Sequence, residues 1–145
     1  MNEDALCPGL GDYLMAQARN NHWSNHRLHS ACLRLPSAEY YANRPSFFGS
    51  IHIHLDHIVF VDWLYLERLT GEQYLPADVG DELHKELAPL VEDQATADRA
   101  LIEYCAAATP ETLSSVVSFR LLDGTQYTEP VGSVLAHLFT HQIHH

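Results

Sequence analysis

Apolar side chains recur at helical spacing along most of the chain. Residues 10–35 carry Leu14 on one such stripe, and Pro36 ends the pattern. Residues 46–69, with the serine at the start as N-cap and Gly71 as the stop, are apolar almost all round. A helix of this kind must pack against other parts of the protein on more than one side. The pattern predicts a first helix and a second, central helix.

Two further helices and a hairpin are predicted in the second half. Residues 78–108 have leucine and alanine at helical spacing, with Pro89 expected to kink or break the helix. Between positions 116 and 127 the chain changes to β-branched and aromatic residues around an Asp-Gly turn signal. Pro130 then provides an N1-type start for a helix that runs to the end.

These elements predict an all-α fold, a four-helix bundle with a short β-hairpin or extended excursion before the last helix. Residues 37–45 are expected to form a loop. The 145 residues are enough for one compact domain with its own core, so we expect a single domain over residues 1–145.

Charge and cysteine content narrow the class of protein. A formal net charge of -11 would repel a phosphate backbone, so we expect no nucleic-acid partner. The most apolar stretch, residues 58–66, is short and contains Asp62, so we expect no membrane association. The acidic amino terminus lacks a secretory signal, and Cys7, Cys32 and Cys105 are odd in number and widely spaced. Together these features predict a cytoplasmic protein.

Histidine is unusually frequent, with eleven residues in the chain and four among the last nine. On a helix, His137, His141, His144 and His145 fall within an arc of roughly 100°, opposite Ile143 and its apolar neighbours. A pair at i and i+4 can bind one metal ion. The sequence HQIHH lacks the glutamate of an HExxH protease, and a solvated polar face or a purification tag is the alternative interpretation.

A third ligand would have to come from another helix, and the second helix offers His52, His54 and His57. His57 lies directly before the most apolar stretch, among apolar neighbours where an imidazole needs a partner. That partner is either a metal ion or a backbone carbonyl, and spacing alone does not decide between them.

Two strings carry a resemblance to a known family. GSIHIHLDHIVFVDWLYLERLTG, at 49–71, resembles the second-helix signature of the DinB-like proteins, and HLFTHQIHH, at 137–145, resembles their fourth-helix signature. The resemblance implies a four-helix bundle, often dimeric, that holds a divalent metal ion. The ligands it implies are His57, His141 and His145.

By the same resemblance His144 is a neighbour of the site, and His137 and His54 are reserve ligands. Related proteins usually continue past the paired histidines with an Arg-Gly-Gln stretch, whereas this sequence stops at His145. If the chain is truncated at this point, the last ligand lies on a frayed helix end, and we expect metal binding to be weakened or abolished.

The implied function is a metal-dependent hydrolase or a low-molecular-weight-thiol transferase, because three imidazoles leave a metal position open. We expect zinc or nickel, with iron or manganese as alternatives, and a small-molecule substrate or thiol. A homodimer is expected, with Phe60, Trp63 and Glu67 on the contact face, and Asp62 is expected to be a buried structural acid. The alternatives are a non-catalytic metal or ligand binder linked to stress, and a bundle that has lost its metal site.

Overall fold

The structure is a computed structural model that describes residues 9–121 and 123–145. Cys7 and the acidic amino terminus, on which two sequence predictions rest, lie outside the described residues. The described elements are α1 (Leu10–Cys32), α2 (Ser37–Tyr40), α3 (Ile51–Thr70), α4 (Leu87–Ala107), α5 (Pro110–Ser114), β1 (Val116–Arg120), β2 (Gln126–Pro130) and α6 (Val131–His144).

The four long helices form the bundle that the sequence predicts. α1 and α3 each contact both α4 and α6. β1 pairs with β2 in an antiparallel hairpin whose register runs from Val116 opposite Pro130 to Arg120 opposite Gln126. Gly124 sits in the connecting turn with a φ of 86°, a conformation that favours glycine. The predicted fold class, a helical bundle with a hairpin before the last helix, is confirmed.

The central helix α3 begins later than predicted. Its N-cap is Ser50, whose hydroxyl accepts a hydrogen bond from the Ile53 N–H at 3.1 Å, and not Ser46. Gly49 precedes it with a φ of 79°, so the chain turns there before the helix starts. The helix ends as predicted at Gly71, which is left-handed with a φ of 74°.

Helix α4 also starts later, at Leu87, so the prediction of a helix from residue 78 was wrong. Residues 78–86 belong to a loop whose backbone N–H groups bond to a carboxylate of α3 instead of to each other. Pro89 lies in the first turn of α4, where a backbone donor is not needed. The prediction was a kink or a break near Ala88: the structure shows no kink there, and the helix begins at Leu87, which agrees with a break. Pro130 is the N-cap of α6, not its first residue.

The apolar core has two parts. The larger part lies towards the hairpin, between α1, α3, α4 and α6, and includes Leu66, Leu101 and Leu135, each at most 2% exposed. The smaller part lies under the loop before α4 and includes Val59 and Leu90. The start of α3 and the end of α6 meet at the end of the bundle away from the hairpin. Within the described residues, no helix is long and apolar enough to cross a membrane.

Candidate metal centre

Three histidines from two helices converge where α3 crosses the last turn of α6. His57 comes from α3, and His141 and His145 come from the end of α6. One ring nitrogen from each lies within 4.8 Å of the other two. The Nε2 atoms of His57 and His141 are 3.3 Å apart. The structure thus brings together the three residues predicted as ligands, while their binding of a metal stays a prediction.

The spacing of these nitrogens fits a divalent ion. Two nitrogens that each lie about 2.0–2.1 Å from a tetrahedral Zn²⁺ are about 3.3 Å apart. That is the distance between the Nε2 atoms of His57 and His141. His141 and His145 lie one helical turn apart with ring centroids separated by 4.3 Å, so the same ion is within reach of both. The donor set of three imidazoles suits zinc, nickel, copper or iron.

Burial keeps the three rings in the neutral form that binds metals. Desolvation, and then the neighbouring His141, lowers the pKa of His57 below its usual value. Desolvation is also the main cause of the lowered pKa of His141. Burial, and then the charges of His141 and His57, lowers the pKa of His145 to about 4. At neutral pH each imidazole therefore has a free lone pair for a cation.

His141 is oriented by Gln142, a side chain that no sequence pattern singles out. The Gln142 amide donates to Asp62 Oδ1 and to the Ile58 carbonyl, so its oxygen faces the Nδ1 atom of His141 at 3.3 Å. Nδ1–H then donates to that oxygen, which leaves the Nε2 lone pair directed towards His57. This partner fixes the ring orientation and the tautomer that a metal ligand requires.

His145 has a similar partner in His54. The Nδ1 atom of His145 lies 3.0 Å from the Nε2 atom of His54, a residue near the start of α3. His54 was expected to be a reserve ligand, and the structure places it behind a ligand candidate, outside the converging group. Phe48 stacks on His54 with ring centroids 4.6 Å apart and lies 4.7 Å from His57, so an aromatic ring covers the site.

The other histidines of α3 and α6 have different surroundings. His52 is only 2% exposed, and its ring contacts the Tyr40 hydroxyl and the His84 carbonyl. It is therefore a buried core histidine whose ring is satisfied by hydrogen bonds, outside the converging group. His137, the second reserve ligand, lies beside the Tyr65 ring near the hairpin, and His144 is exposed. Neither belongs to the converging group of three.

Asp62 is a fully buried acid, as expected from the sequence. Gln94 donates to it at 2.6 Å, and Gln142 donates to its other oxygen. Burial, followed by the charge of Asp98, raises the pKa of Asp62 to about 7, and the two amide hydrogen bonds oppose this shift. Asp62 therefore connects the buried polar layer of the bundle to His141 through Gln142.

The outer end of α6 departs from the predicted amphipathic pattern. Ile143 was grouped with the apolar side of the helix, but it is 71% exposed. Phe139 and Leu135, one and two turns earlier, are buried. The core ends before the last turn, so the same helical face that is covered at Phe139 meets solvent at Ile143.

A large cavity opens beside the three histidines. It has a volume of about 680 Å³ and is bounded by α3 and the loop of residues 73–83, with Phe48 and His57 at the end near the site. Its size is in the range of small-molecule sites. Of the three histidines, His57 is the one that lines this cavity.

The face of α3 that was expected to form a dimer contact is covered from within the chain. Phe60 lines the cavity, and Glu67 accepts hydrogen bonds from the N–H groups of Tyr74 and Leu75. Trp63 stacks on Tyr74 and donates its indole N–H to Asp93. The loop before α4 therefore occupies much of this face. Formation of a homodimer stays a prediction.

The cysteines within the described residues carry no chemistry at this site. Cys32 and Cys105 are both free and buried. Burial raises the pKa of Cys105 to about 11, so it remains a thiol and behaves as a small apolar group. This agrees with the interpretation of Cys105 as a core residue.

Residues 9–145 match the sequence model of the DinB family. No match was found among the curated proteins.

Proposed function

The chain belongs to the DinB family, and on that premise we propose that it is a divalent-metal-dependent enzyme that acts on small molecules, with His57, His141 and His145 as the metal ligands. The observation that carries the proposal is the convergence of three imidazole nitrogens within 4.8 Å beside a cavity of about 680 Å³. A closed structural site would present four protein donors and no cavity.

The rings of the proposed ligands already have an orientation suited to metal binding. The neutral forms of His57 and His141 present their Nε2 atoms to each other, and Gln142 holds the His141 ring in place. A bound divalent ion with three protein ligands would supply a Lewis acid that lowers the pKa of a water or thiol at its open position. Zinc or nickel is the proposed ion, with iron or manganese as alternatives.

The proposed reaction is hydrolysis of a small substrate or transfer of a low-molecular-weight thiol to a small electrophile. The residues of the chain bind and position the reactants in both cases. Phe48 covers one side of His57 and limits the approach of bulk water to that ring. A substrate in the cavity between α3 and the 73–83 loop would lie next to His57.

A non-catalytic metal binder is the second candidate. Asp56 and Glu67 line the cavity, but their carboxylates accept N–H groups of the adjacent loop. Among the residues that the structure describes, no carboxylate forms a hydrogen bond with His57, His141 or His145, whose side-chain partners are His54, Gln142 and one another. No general base is held directly against the three histidines, which favours binding without turnover.

Elemental analysis of the untagged full chain tests the proposal. We expect near one divalent ion per chain in the wild type, and near zero in His57→Ala and in His141→Ala. His26→Ala, at an exposed histidine of α1, is the matched control and should keep its metal. No metal in the wild type after loading with zinc or nickel, or equal loss in the control, would contradict the proposal.

Activity then separates the two candidates. The metal-loaded wild type is assayed with ester, amide and lactone substrates, and with thiol plus a chlorinated aromatic electrophile. Turnover that is lost in His57→Ala and kept in His26→Ala supports the enzyme. Stoichiometric metal without turnover on any of these substrates supports the non-catalytic binder.

A further inference from the structure

The cavity beside His57 has a distinctive charge pattern. Its lining includes three carboxylates, Asp56, Glu67 and Asp81, together with the amide of Gln73. Among the described residues around this cavity, none is lysine or arginine. A pocket for a carboxylate or phosphate would be expected to offer at least one such cation.

Two of these carboxylates are already engaged by the loop. Asp56 is 5% exposed and accepts the N–H groups of Leu83 and His84 at 2.6 and 2.8 Å. Glu67 Oε1 accepts the N–H groups of Tyr74 and Leu75 at 2.9 and 2.7 Å. These bonds hold the loop as one wall of the cavity. They also reduce the capacity of both carboxylates to bind a further donor.

Asp81 differs from the other two. It is exposed, and within the described part of the chain it has neither a hydrogen-bond partner nor an ion-pair partner for its side chain. It lines the cavity, whereas Asp78, three residues earlier in the same loop, does not. Asp81 is therefore the carboxylate that a ligand can reach.

The rest of the surface is mainly apolar. The side chains that provide it come from α3, from the segment before α3 and from the loop, and are those of Phe48, Ile53, Phe60, Leu75, Val79 and Leu83. Burial of an apolar ligand against them removes apolar area from water on both sides. In the metal-free chain, an anion entering the same space would lose its hydration without gaining a cation.

We infer that this cavity takes an apolar small molecule that is neutral or carries one positive charge, with Asp81 facing the charged or hydrogen-bond-donating end, and that it discriminates against anions. The inference deepens the proposed function, on which it rests for the link between this ligand and the chemistry at His57. It also predicts that thiols with carboxylate groups are poor partners for this chain.

Three matched probes test the charge preference. 3-Phenylpropylamine, 3-phenylpropanol and 3-phenylpropanoate differ mainly in the charge of one end. Binding is measured on the full chain by the shifts of backbone amide resonances, in zinc-loaded and zinc-free forms. The zinc-free form matters because a carboxylate could bind zinc directly. We expect the amine to bind roughly tenfold more tightly than the carboxylate, with the alcohol between them.

Two charge reversals locate the effect. Asp81→Lys should reduce the preference for the amine over the carboxylate by roughly tenfold, because it reverses the charge that faces the ligand. Asp78→Lys makes the same change in net charge outside the cavity and should alter the preference by less than about twofold, through screened long-range effects. Resonances of Phe48, Phe60 and Leu83 should shift with the amine in the wild type.

The outcomes of this charge-preference test can be distinguished from the outcomes of the metal-binding test. Equal or tighter binding of the carboxylate in the zinc-free chain, or equal effects of the two charge reversals, would overturn the inference even if zinc binds at the three histidines. Absence of zinc binding with a retained amine preference would overturn the proposed function and leave the cavity's selectivity standing.

Discussion

Two groups of histidines lie on different helices of the bundle, and only one of them converges. His22, His26 and His29 follow one face of α1 at i, i+4 and i+7, a spacing as favourable as that of His141 and His145. Among the described residues, only His57, His141 and His145 place three donor atoms within 4.8 Å. Spacing along one helix is therefore not sufficient for a site.

The difference comes from what faces each helix. α6 faces α3 where it carries His57, so a third imidazole meets the pair. α1 faces α4 where it carries Asp98, whose oxygens already accept hydrogen bonds from Asn21, Asn25 and Gln94. His22 contacts that carboxylate at 3.3 Å. Of the α1 group, His22 thus contacts a buried network that stabilises the bundle, while the α3 and α6 group is left open to a cation.

Among the changes that test the difference between the two histidine groups, the loss of a metal ligand should have the largest effect. We expect His145→Gln to weaken zinc binding by more than about 100-fold, because the loss of a ligand should cost more than the 10–100-fold typical of an outer-shell partner. His22→Gln should leave zinc affinity unchanged. Competition titration with a chelating dye measures both. Equal affinity for wild type and His145→Gln would show that the terminal histidine is not a ligand.

Removal of the partner of His141 should have a smaller effect. Gln142→Leu keeps much of the side-chain volume but loses the bond to His141 Nδ1, so we expect zinc affinity to fall by about 10–100-fold. The exposed neighbour change His144→Gln is the control and should bind zinc like the wild type. An unchanged affinity in Gln142→Leu would mean that Gln142 serves only the contact with Asp62.

The α1 group should instead report on stability. Burial, and then the charge of His26, lowers the pKa of His29 to about 4, below the unfolded value of 6.5. As pH falls below 6.5, the unfolded state binds a proton that the folded state binds only near pH 4, so stability is lost over that window. The loss from this group should be about 2 kcal/mol between pH 7 and pH 5.

Urea unfolding of the metal-free chain measures this loss. His29→Leu should reduce the drop in the free energy of unfolding between the two pH values, and His137→Gln, at an exposed histidine, should not. If the drop is the same in all three proteins, His29 is not the group responsible.

The smallest effect concerns how α3 starts. Ser50 caps this helix through its side chain, whereas the N-cap of α1 is Gly9, which has none. Ser50→Ala should lower the free energy of unfolding by about 1 kcal/mol. Ser46→Ala, at the N-cap position favoured by the sequence pattern, should change it by less than half as much. Thermal unfolding followed by circular dichroism would detect the difference, and equal effects would contradict the assignment of the cap.

The sequence predicted the bundle because leucine and alanine recur at helical spacing, and spacing one turn apart made the histidines of the last helix candidates for a metal-binding pair. Spacing allows His137 with His141 as well as His141 with His145, and the choice of the second pair came from the family resemblance. His57 needed the family resemblance, since His52, His54 and His57 share one apolar stretch and periodicity does not say which of them faces α6. The structure shows why the other two histidines are not in the converging group: His52 bonds to Tyr40, and His54 lies behind His145.

Other features depend on tertiary contacts that have no local pattern. Residues 78–86 have helical composition, but Asp56 binds the N–H groups of Leu83 and His84 and holds that segment as a loop. Gln142 and Phe48 carry no signal of a site in the sequence, because their roles arise only when α6 and the segment before α3 meet at His57.

X-ray absorption at the zinc edge of the loaded full chain tests the central claim most directly. The account predicts three imidazole nitrogens at about 2.0–2.1 Å with one further light atom, and loss of one imidazole shell in His57→Ala. A spectrum with sulfur in the first shell, or with the same imidazole count in His57→Ala as in the wild type, would contradict it.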